Sequence, residues 1–176
     1  MKRKIIELLI ILFFLALQCT LGRFISLNGI APNFLIILPV IFGFLNGSNE
    51  GIIVGFVSGL LFDVYSNNTI GFGALIFLFT GYLCGLFNQK YEESELFIPL
   101  CAIFAGDFML NFLTYVFSFL LHNKLDIPFY LSRIIIPEAV YTVIVGVVLY
   151  PLFRPVNKLL DKRERKRVDI LDERSI

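Results

Sequence analysis

Three glycines spaced four residues apart, Gly51, Gly55 and Gly59, constrain this chain most, and Asp63 continues the same register. Residues four apart lie nearly one above another on a helix, so the glycines form a narrow strip without side chains. Such a strip lets a second backbone approach closely, which is how many helices pack in lipid. The segment therefore predicts a tightly packed helix with a carboxylate at one end of its contact face.

Long apolar segments indicate a membrane protein. Of the 176 residues, 57% are hydrophobic, and the mean hydropathy is +0.82. Soluble domains are usually about 45–50% apolar. Several runs also approach or exceed about 18 apolar residues, the length typical of a membrane span. We therefore predict an all-α polytopic membrane protein.

Six apolar segments predict a bundle of six transmembrane helices within residues 1–157. The second predicted helix contains Pro39, where a kink is expected. The second and third are short for a bilayer of about 30 Å, so they either cross it or form a partly spanning hairpin. Polar turns are expected at 46–49, 66–68 and 122–130. The predicted spans are 5–21, 30–45, 51–65, 70–87, 95–121 and 132–153.

The distribution of Lys and Arg predicts that both termini are cytoplasmic. With the N-terminus inside, twelve basic residues lie on the cytoplasmic side and three lie outside, as the positive-inside rule requires. The N-terminus resembles a secretory signal, but it lacks a small-residue cleavage site, so we predict an uncleaved first span. Residues 158–176 alternate in charge and are expected to form a charged cytoplasmic tail, either a topology anchor or a contact with anionic lipid. The three outer basic residues are Arg23, Lys124 and Arg133.

Ionisable residues inside the predicted spans suggest a buried polar clamp. Asp63, Glu138 and Arg133 are expected at similar depth in the outer half, where Arg133 would neutralise one or both acids, since unpaired charge there is costly. Asp107 is expected near mid-membrane, with Asn111 one turn later on the same face. Asp107 would act either as hydrogen-bonded glue between helices, in protonated or ionised form, or in ion or proton coupling. The whole cluster would either fix the helix register or couple to a partner.

Small residues recur at helical spacing in the later predicted spans as well. They occur as pairs four apart, which favours close helix packing in lipid. Together they predict a compact bundle. The pairs are Gly81 with Gly85, Ala102 with Gly106, and Thr142 with Gly146.

Catalytic and metal-binding patterns are absent from the sequence. Cys19, Cys84 and Cys101 fall in apolar runs without metal-ligand spacing, and the single histidine, His122, is isolated. The sequence contains no Gly-rich phosphate loop with its lysine and no His-Glu-x-x-His motif. We therefore expect no enzymatic activity, no cofactor or metal, and no nucleic-acid partner.

The order of several short motifs resembles the bacterial rod shape-determining protein MreD family. That family has a Gly-x-x-x-Gly-Leu-x-x-Asp helix end, a short polar loop, a glycine, and a following span with Gly-Tyr. The resemblance covers about residues 32–85 by motif and the whole chain by length and basic tail. The matching segments are Pro32-Asn33-Phe34-Leu35, Gly55 to Asp63 with Gly59, Gly71-Phe72-Gly73-Ala74, and Gly81-Tyr82.

The resemblance implies a multi-pass subunit of the bacterial inner (plasma) membrane that works in cell elongation without catalytic residues. The implied partners are MreC, RodA with its partner transpeptidase and, indirectly, MreB filaments. Membrane lipids are expected as further partners because the predicted spans are apolar. The implied fold is similar to the substrate-binding component of energy-coupling factor transporters.

Two functions therefore stay open at this point. As a scaffold for lateral peptidoglycan synthesis, the chain would use its small-residue faces for helix packing or to receive a partner helix. As the alternative, a substrate-binding component of a vitamin-type transporter, it would line a pocket with Asp107, Asn111 and the outer polar residues. The predicted packing or partner interface comprises Gly51, Gly55, Gly59, Gly71, Gly81, Tyr82 and Gly85.

Overall fold

The protein is all-helical in the part of the chain that the structure describes. A computed structural model describes the backbone of residues 2–24, 26, 29–66, 70–88, 96–122 and 127–173. Within these ranges it describes the side chains except those of 2, 21–23, 118–122, 127, 128, 158 and 160–173. No strand occurs in these ranges, which confirms the predicted all-α class. The helices are α1 (Lys2–Phe24), α2 (Phe34–Asn46), α3 (Ser48–Ser66), α4 (Phe72–Leu86), α5 (Phe97–His122), α6 (Ile127–Tyr130) and α7 (Ile136–Glu173), with a π-helical turn (Leu131–Ile135) joining α6 to α7.

The second helix forms the centre of the bundle. All residues of α2 from Phe34 to Leu45 are buried, and α1, α3, α4, α5 and α7 all pack against it. A helix that is apolar on every face is stable only when it is surrounded in this way. With 13 residues, α2 is about 20 Å long, shorter than a bilayer core of about 30 Å. Its N-terminus lies inside the bundle, where Asn33 and Phe34 are buried.

A single residue connects α2 to α3. Gly47 has φ +97°, and its N–H donates to the carbonyl oxygen of Gly43 at 2.8 Å. Glycine adopts positive φ without the steric cost of a Cβ, which is why it commonly ends helices. The turn predicted at 46–49 is thus shorter than expected, because α3 already begins at Ser48. Of the turn predicted at 66–68, residues 67 and 68 lie outside the described part of the chain.

The connection between α5 and α7 differs from the sequence prediction. Residues 122–130 were expected to form a turn, but α5 extends to His122 and helical structure resumes at Ile127. Pro128 accounts for the difference, since proline suits the first turn of a helix, where an N–H has no intrahelical partner. The sixth predicted helix therefore begins five residues before the expected Ser132.

The structure is compatible with a membrane. Among the described residues, two helical segments are long and apolar enough to cross a bilayer, Phe97–Phe117 and Leu131–Asn157, while Phe34–Asn46 and Phe72–Leu86 are apolar but shorter. Many large apolar side chains also point outward, which marks a surface that faces lipid or partners. The crossing of the bilayer by all six predicted spans stays a prediction. Helix α7 has 38 residues and extends well beyond Asn157, into the predicted tail.

Candidate functional site

The glycine strip of α3 lies directly against α4 of the same chain. A Cβ added to Gly55 would lie 2.7 Å from the carbonyl carbon of Phe77 and 2.9 Å from the Cα of Leu78. A Cβ added to Gly59 would lie 2.8 Å from the backbone nitrogen of Ala74. Backbone atoms cannot move aside as a flexible side chain can, so any larger residue here would force the two helices apart. Helices α3 and α4 therefore pack backbone to backbone.

Glycines on α4 and α2 complete this contact. A Cβ added to Gly81 would lie 2.8 Å from the carbonyl carbon of Gly51, and one added to Gly85 would lie 2.7 Å from that of Gly47. Gly43 of α2 joins the same junction, with 3.4 Å between its added Cβ and the Cα of Gly51. Sequence reasoning did not single out Gly43. The spacing of the glycines could have predicted its role, because a glycine occurs at every fourth position from Gly43 to Gly59.

The glycine contacts correct the expectation that this face receives a partner helix. The surface is already occupied by α4, and Gly51, Gly55 and Gly59 are buried, as are Gly81 and Gly85. In the set predicted as an interface, only Gly71 and Tyr82 retain exposure. The strip therefore holds this chain together and is closed to another chain.

The carboxylate of Asp63 caps the first turn of α4. Its Oδ2 accepts hydrogen bonds from the N–H groups of Gly71 at 2.8 Å and Ala74 at 3.2 Å. Its Oδ1 accepts one from Gly73 at 2.8 Å. The first N–H groups of a helix lack intrahelical partners and carry partial positive charge, which a carboxylate stabilises. The glycine strip and the acid thus act as one unit, since the strip brings the helices together and Asp63 closes their junction.

Arg133 does not pair with Asp63, which corrects the predicted clamp. Arg133 is exposed in the π-helical turn, and its guanidinium carbon lies 5.9 Å from the ring centroid of Phe129. Among the described side chains, neither Asp63 nor Glu138 forms an ion pair with it. The three backbone donors around Asp63 replace the cation that the sequence argument required.

A second polar cluster surrounds Asp107, which is fully buried. Its Oδ1 accepts a hydrogen bond from the Asn33 side-chain amide at 3.2 Å, and its Oδ2 accepts one from the Thr142 hydroxyl at 3.0 Å. The backbone N–H of Asn33 donates to the Thr142 oxygen at 3.0 Å. The three residues form a closed triangle that links α5, α7 and the segment entering α2. Buried polar groups require such partners.

The same cluster satisfies the buried N-terminus of α2. The Gln18 side chain accepts from the N–H of Phe34 at 2.8 Å and donates to the carbonyl oxygen of Pro32 at 3.2 Å. The Asn33 side-chain oxygen accepts from the N–H of Ile36 at 3.4 Å, as an N-cap residue does. Sequence reasoning missed Gln18 and the role of Asn33. An asparagine immediately before an apolar helical run is a recognised start signal and could have revealed Asn33.

Asn111 and Glu138 lie beside Asp107, as neighbours of the triangle. The Asn111 amide donates to the backbone oxygen of Asp107 at 3.1 Å, so it does not bind the carboxylate. The backbone oxygen of Glu138 lies 2.9 Å from the Thr142 hydroxyl oxygen, which belongs to the triangle. In the predicted clamp, the structure therefore brings together Asp107, Asn111 and Glu138 and places Asp63 and Arg133 elsewhere.

At the opposite end of the bundle, charged side chains tie α1 to α3. The carboxylate of Glu7 is buried and pairs with Arg3 at 3.0 Å and with Lys4 at 3.4 Å. Lys4 also contacts Glu50 in the first turn of α3. These pairs lie in the N-terminal turns of both helices, where the predicted topology has its cytoplasmic face.

Within the described residues, no cluster of His, Cys, Asp or Glu is suited to hold a metal ion. The polar groups that are present link one helix to another. The outer faces are apolar, two of the described helical segments are long enough to cross a bilayer, and the buried polar groups bind one helix to another. Together these features indicate a helical membrane protein. Residues 2–162 match the family model of the rod shape-determining protein MreD. The chain therefore belongs to the MreD family and takes part in determining cell shape.

Comparison with curated proteins and with solved structures finds no match. The expected similarity to the substrate-binding component of energy-coupling factor transporters therefore stays a prediction.

Proposed function

We propose that this chain is a non-catalytic scaffold subunit of the bacterial cell-elongation complex. It would cross the inner membrane several times, with both termini in the cytoplasm, and support lateral peptidoglycan synthesis together with MreC. The match of residues 2–162 to the MreD family carries this proposal.

The internal packing supports a scaffold. The contact between Gly55 and Phe77 interlocks α3 with α4, and the triangle of Asn33, Asp107 and Thr142 ties α5 and α7 to the same core. The Asp107 carboxylate uses both oxygens within the chain, so it is not held open for a substrate. A helix bundle held together by these contacts presents a fixed outer surface to which partner proteins can bind.

The partners would contact outward faces, because the glycine strip is internal. Two regular apolar stripes with a four-residue spacing are available, and each of their side chains is more than half exposed. We propose that MreC binds the chain directly, that RodA and its partner transpeptidase join through the same complex, and that MreB is linked indirectly. The stripes are Ile5, Leu9 and Phe13 on α1, and Ile144, Val148 and Leu152 on α7.

The alternative, a vitamin-type transporter component, lacks a supporting observation in the described residues. It required Asp107 and Asn111 to line a ligand pocket. The cavity between α4 and α5 is lined by other, almost entirely apolar residues, and Asp107 is enclosed by Asn33 and Thr142.

Depletion of the chain in the bacterium that encodes it tests the proposal. We expect the cells to lose their rod shape, and we expect MreC to co-purify with the tagged chain from native membranes. Wild-type complementation is the control. Cells that keep their shape on depletion but lose uptake of a vitamin would overturn the scaffold in favour of the transporter.

A further inference from the structure

An apolar groove of about 760 Å³ lies between the outer parts of α4 and α5. No charged residue lines it, and its one hydroxyl, on Thr80, already donates to the carbonyl oxygen of Ile76 at 2.8 Å. Apart from the weakly polar thiols of Cys84 and Cys101, an occupant finds no free polar partner among the described lining residues, so a hydrocarbon suits this groove best. The lining includes Leu75, Phe79 and Leu83 on α4, and Cys101, Ala105 and Met109 on α5.

Small residues on α5 form the floor of this groove. The helices meet where Gly106 lies against Thr80, since an added Cβ would be 2.8 Å from the Thr80 side chain. Ala102 and Ala105 lie beside this contact and also line the groove. Their short side chains leave the space that Phe79 borders on the opposite wall.

One end of the groove is closed by aromatic rings. Phe72 of α4 and Phe117 of α5 make an edge-to-face contact with 5.1 Å between ring centroids. Phe117 lies one helical turn beyond Leu113, which lines the groove at that end. At the other end Phe87 and Phe97 line the groove, and Phe97 is 77% exposed.

The length of the groove matches one leaflet of a bilayer rather than a helix that crosses both leaflets. Along α4 it extends from Leu75 to Phe87, about 18 Å at 1.5 Å per residue. A helix that crosses a bilayer core of about 30 Å is considerably longer than the groove. A helix that crosses the bilayer would also have to pass the closed end. By contrast, one leaflet provides about 15 Å of hydrocarbon, half of a core of about 30 Å.

We propose that this groove binds one acyl chain of a bilayer phospholipid. The chain lies along the groove, with its ester end beside Phe87 and Phe97 and its terminal methyl group toward Phe72 and Phe117. The headgroup then lies at the C-terminal end of α4, in the leaflet that the predicted topology assigns to the cytoplasmic side. This lipid site goes beyond the scaffold function and does not depend on it.

A tryptophan reporter tests the site, because the chain contains no tryptophan of its own. Phe79→Trp places the reporter in the groove, and Phe13→Trp places a control on the outer face of α1, with 56% and 60% exposure at the two positions. Each variant is reconstituted in phosphatidylglycerol vesicles with dibrominated acyl chains, which quench tryptophan, and is then diluted into detergent. We expect the Phe79→Trp fluorescence to stay quenched and the Phe13→Trp fluorescence to recover.

A blocking substitution with a matched control completes the test. Ala105→Phe in the Phe79→Trp protein fills the floor and should abolish the retained quenching, while Ala16→Phe, at an exposed position on α1, should preserve it. Circular dichroism checks the fold, and mass spectrometry of wild-type protein from native membranes should find a retained phospholipid. Equal recovery at both reporters would overturn the proposal. So would retained quenching in folded Ala105→Phe, or a partner helix that shields the groove reporter from bromine in the vesicles.

Discussion

The carboxylate of Asp63 accepts a 2.8 Å hydrogen bond from the backbone N–H of Gly73, so the last turn of α3 holds the first turn of α4. Two more backbone donors complete the site. An acid that must otherwise find a cation in an apolar environment is stabilised here by the start of the next helix. The order of the family motif, in which an aspartate ends one helix and glycines begin the next, is thus explained by this hydrogen-bonded junction.

We predict that Asp63→Ala destabilises the folded bundle by about 1–3 kcal/mol, because three backbone N–H groups, two of them buried, lose their acceptor. Asp63→Asn, which keeps one acceptor oxygen, should cost less. Denaturant unfolding in detergent micelles measures both variants. Asn49→Ala, at an exposed position in the first turn of α3, is the control, and equal stability of Asp63→Ala and wild type would contradict the cap.

The structure also predicts that Asp63 and Arg133 act independently. The effects of Asp63→Ala and Arg133→Ala on unfolding free energy should add within about 0.5 kcal/mol, as expected for residues without shared partners. A double-mutant cycle provides the measurement. Strong non-additivity would restore the ion pair that the sequence argument expected.

Gly55→Leu should prevent correct assembly of α3 with α4, because the new side chain would overlap the backbone of Phe77. The expected result is an aggregated or unfolded protein in size-exclusion chromatography and failure to complement the loss of cell shape. Val64→Leu adds a larger side chain on the exposed face of the same helix and should behave as wild type. A monodisperse, fully complementing Gly55→Leu protein would refute the backbone contact.

Thr142→Val should destabilise the bundle by about 1–3 kcal/mol, because it removes the hydroxyl that serves both the Asn33 N–H and the Asp107 carboxylate. Thr20→Val, at an exposed position on α1, is the matched control. Thermal unfolding followed by circular dichroism compares the two variants. Equal melting temperatures would show that the triangle contributes little to stability.

Local spacing was sufficient for the class of fold and for the existence of a close helix contact. Long apolar runs predict helices because a segment in lipid must satisfy its own backbone N–H and C=O groups, and glycines four apart share a helix face whatever the rest of the chain does. Proline misled the prediction at Pro128, since the same residue suits both a turn and a helix start. The partner of Asp63 lies only ten residues away, but the choice between a cation and a helix N-terminus cannot be made from spacing alone.

The amino-acid sequence by itself determined that this protein is helical and apolar and that α3 carries a strip of glycines. These properties depend on neighbours within a few residues. Only the tertiary structure decided that α2 lies at the centre, that α4 covers the glycines, and that Asn33 meets Thr142 across a separation of 109 residues. Such contacts depend on how all the helices fill space together, and no local period encodes that arrangement.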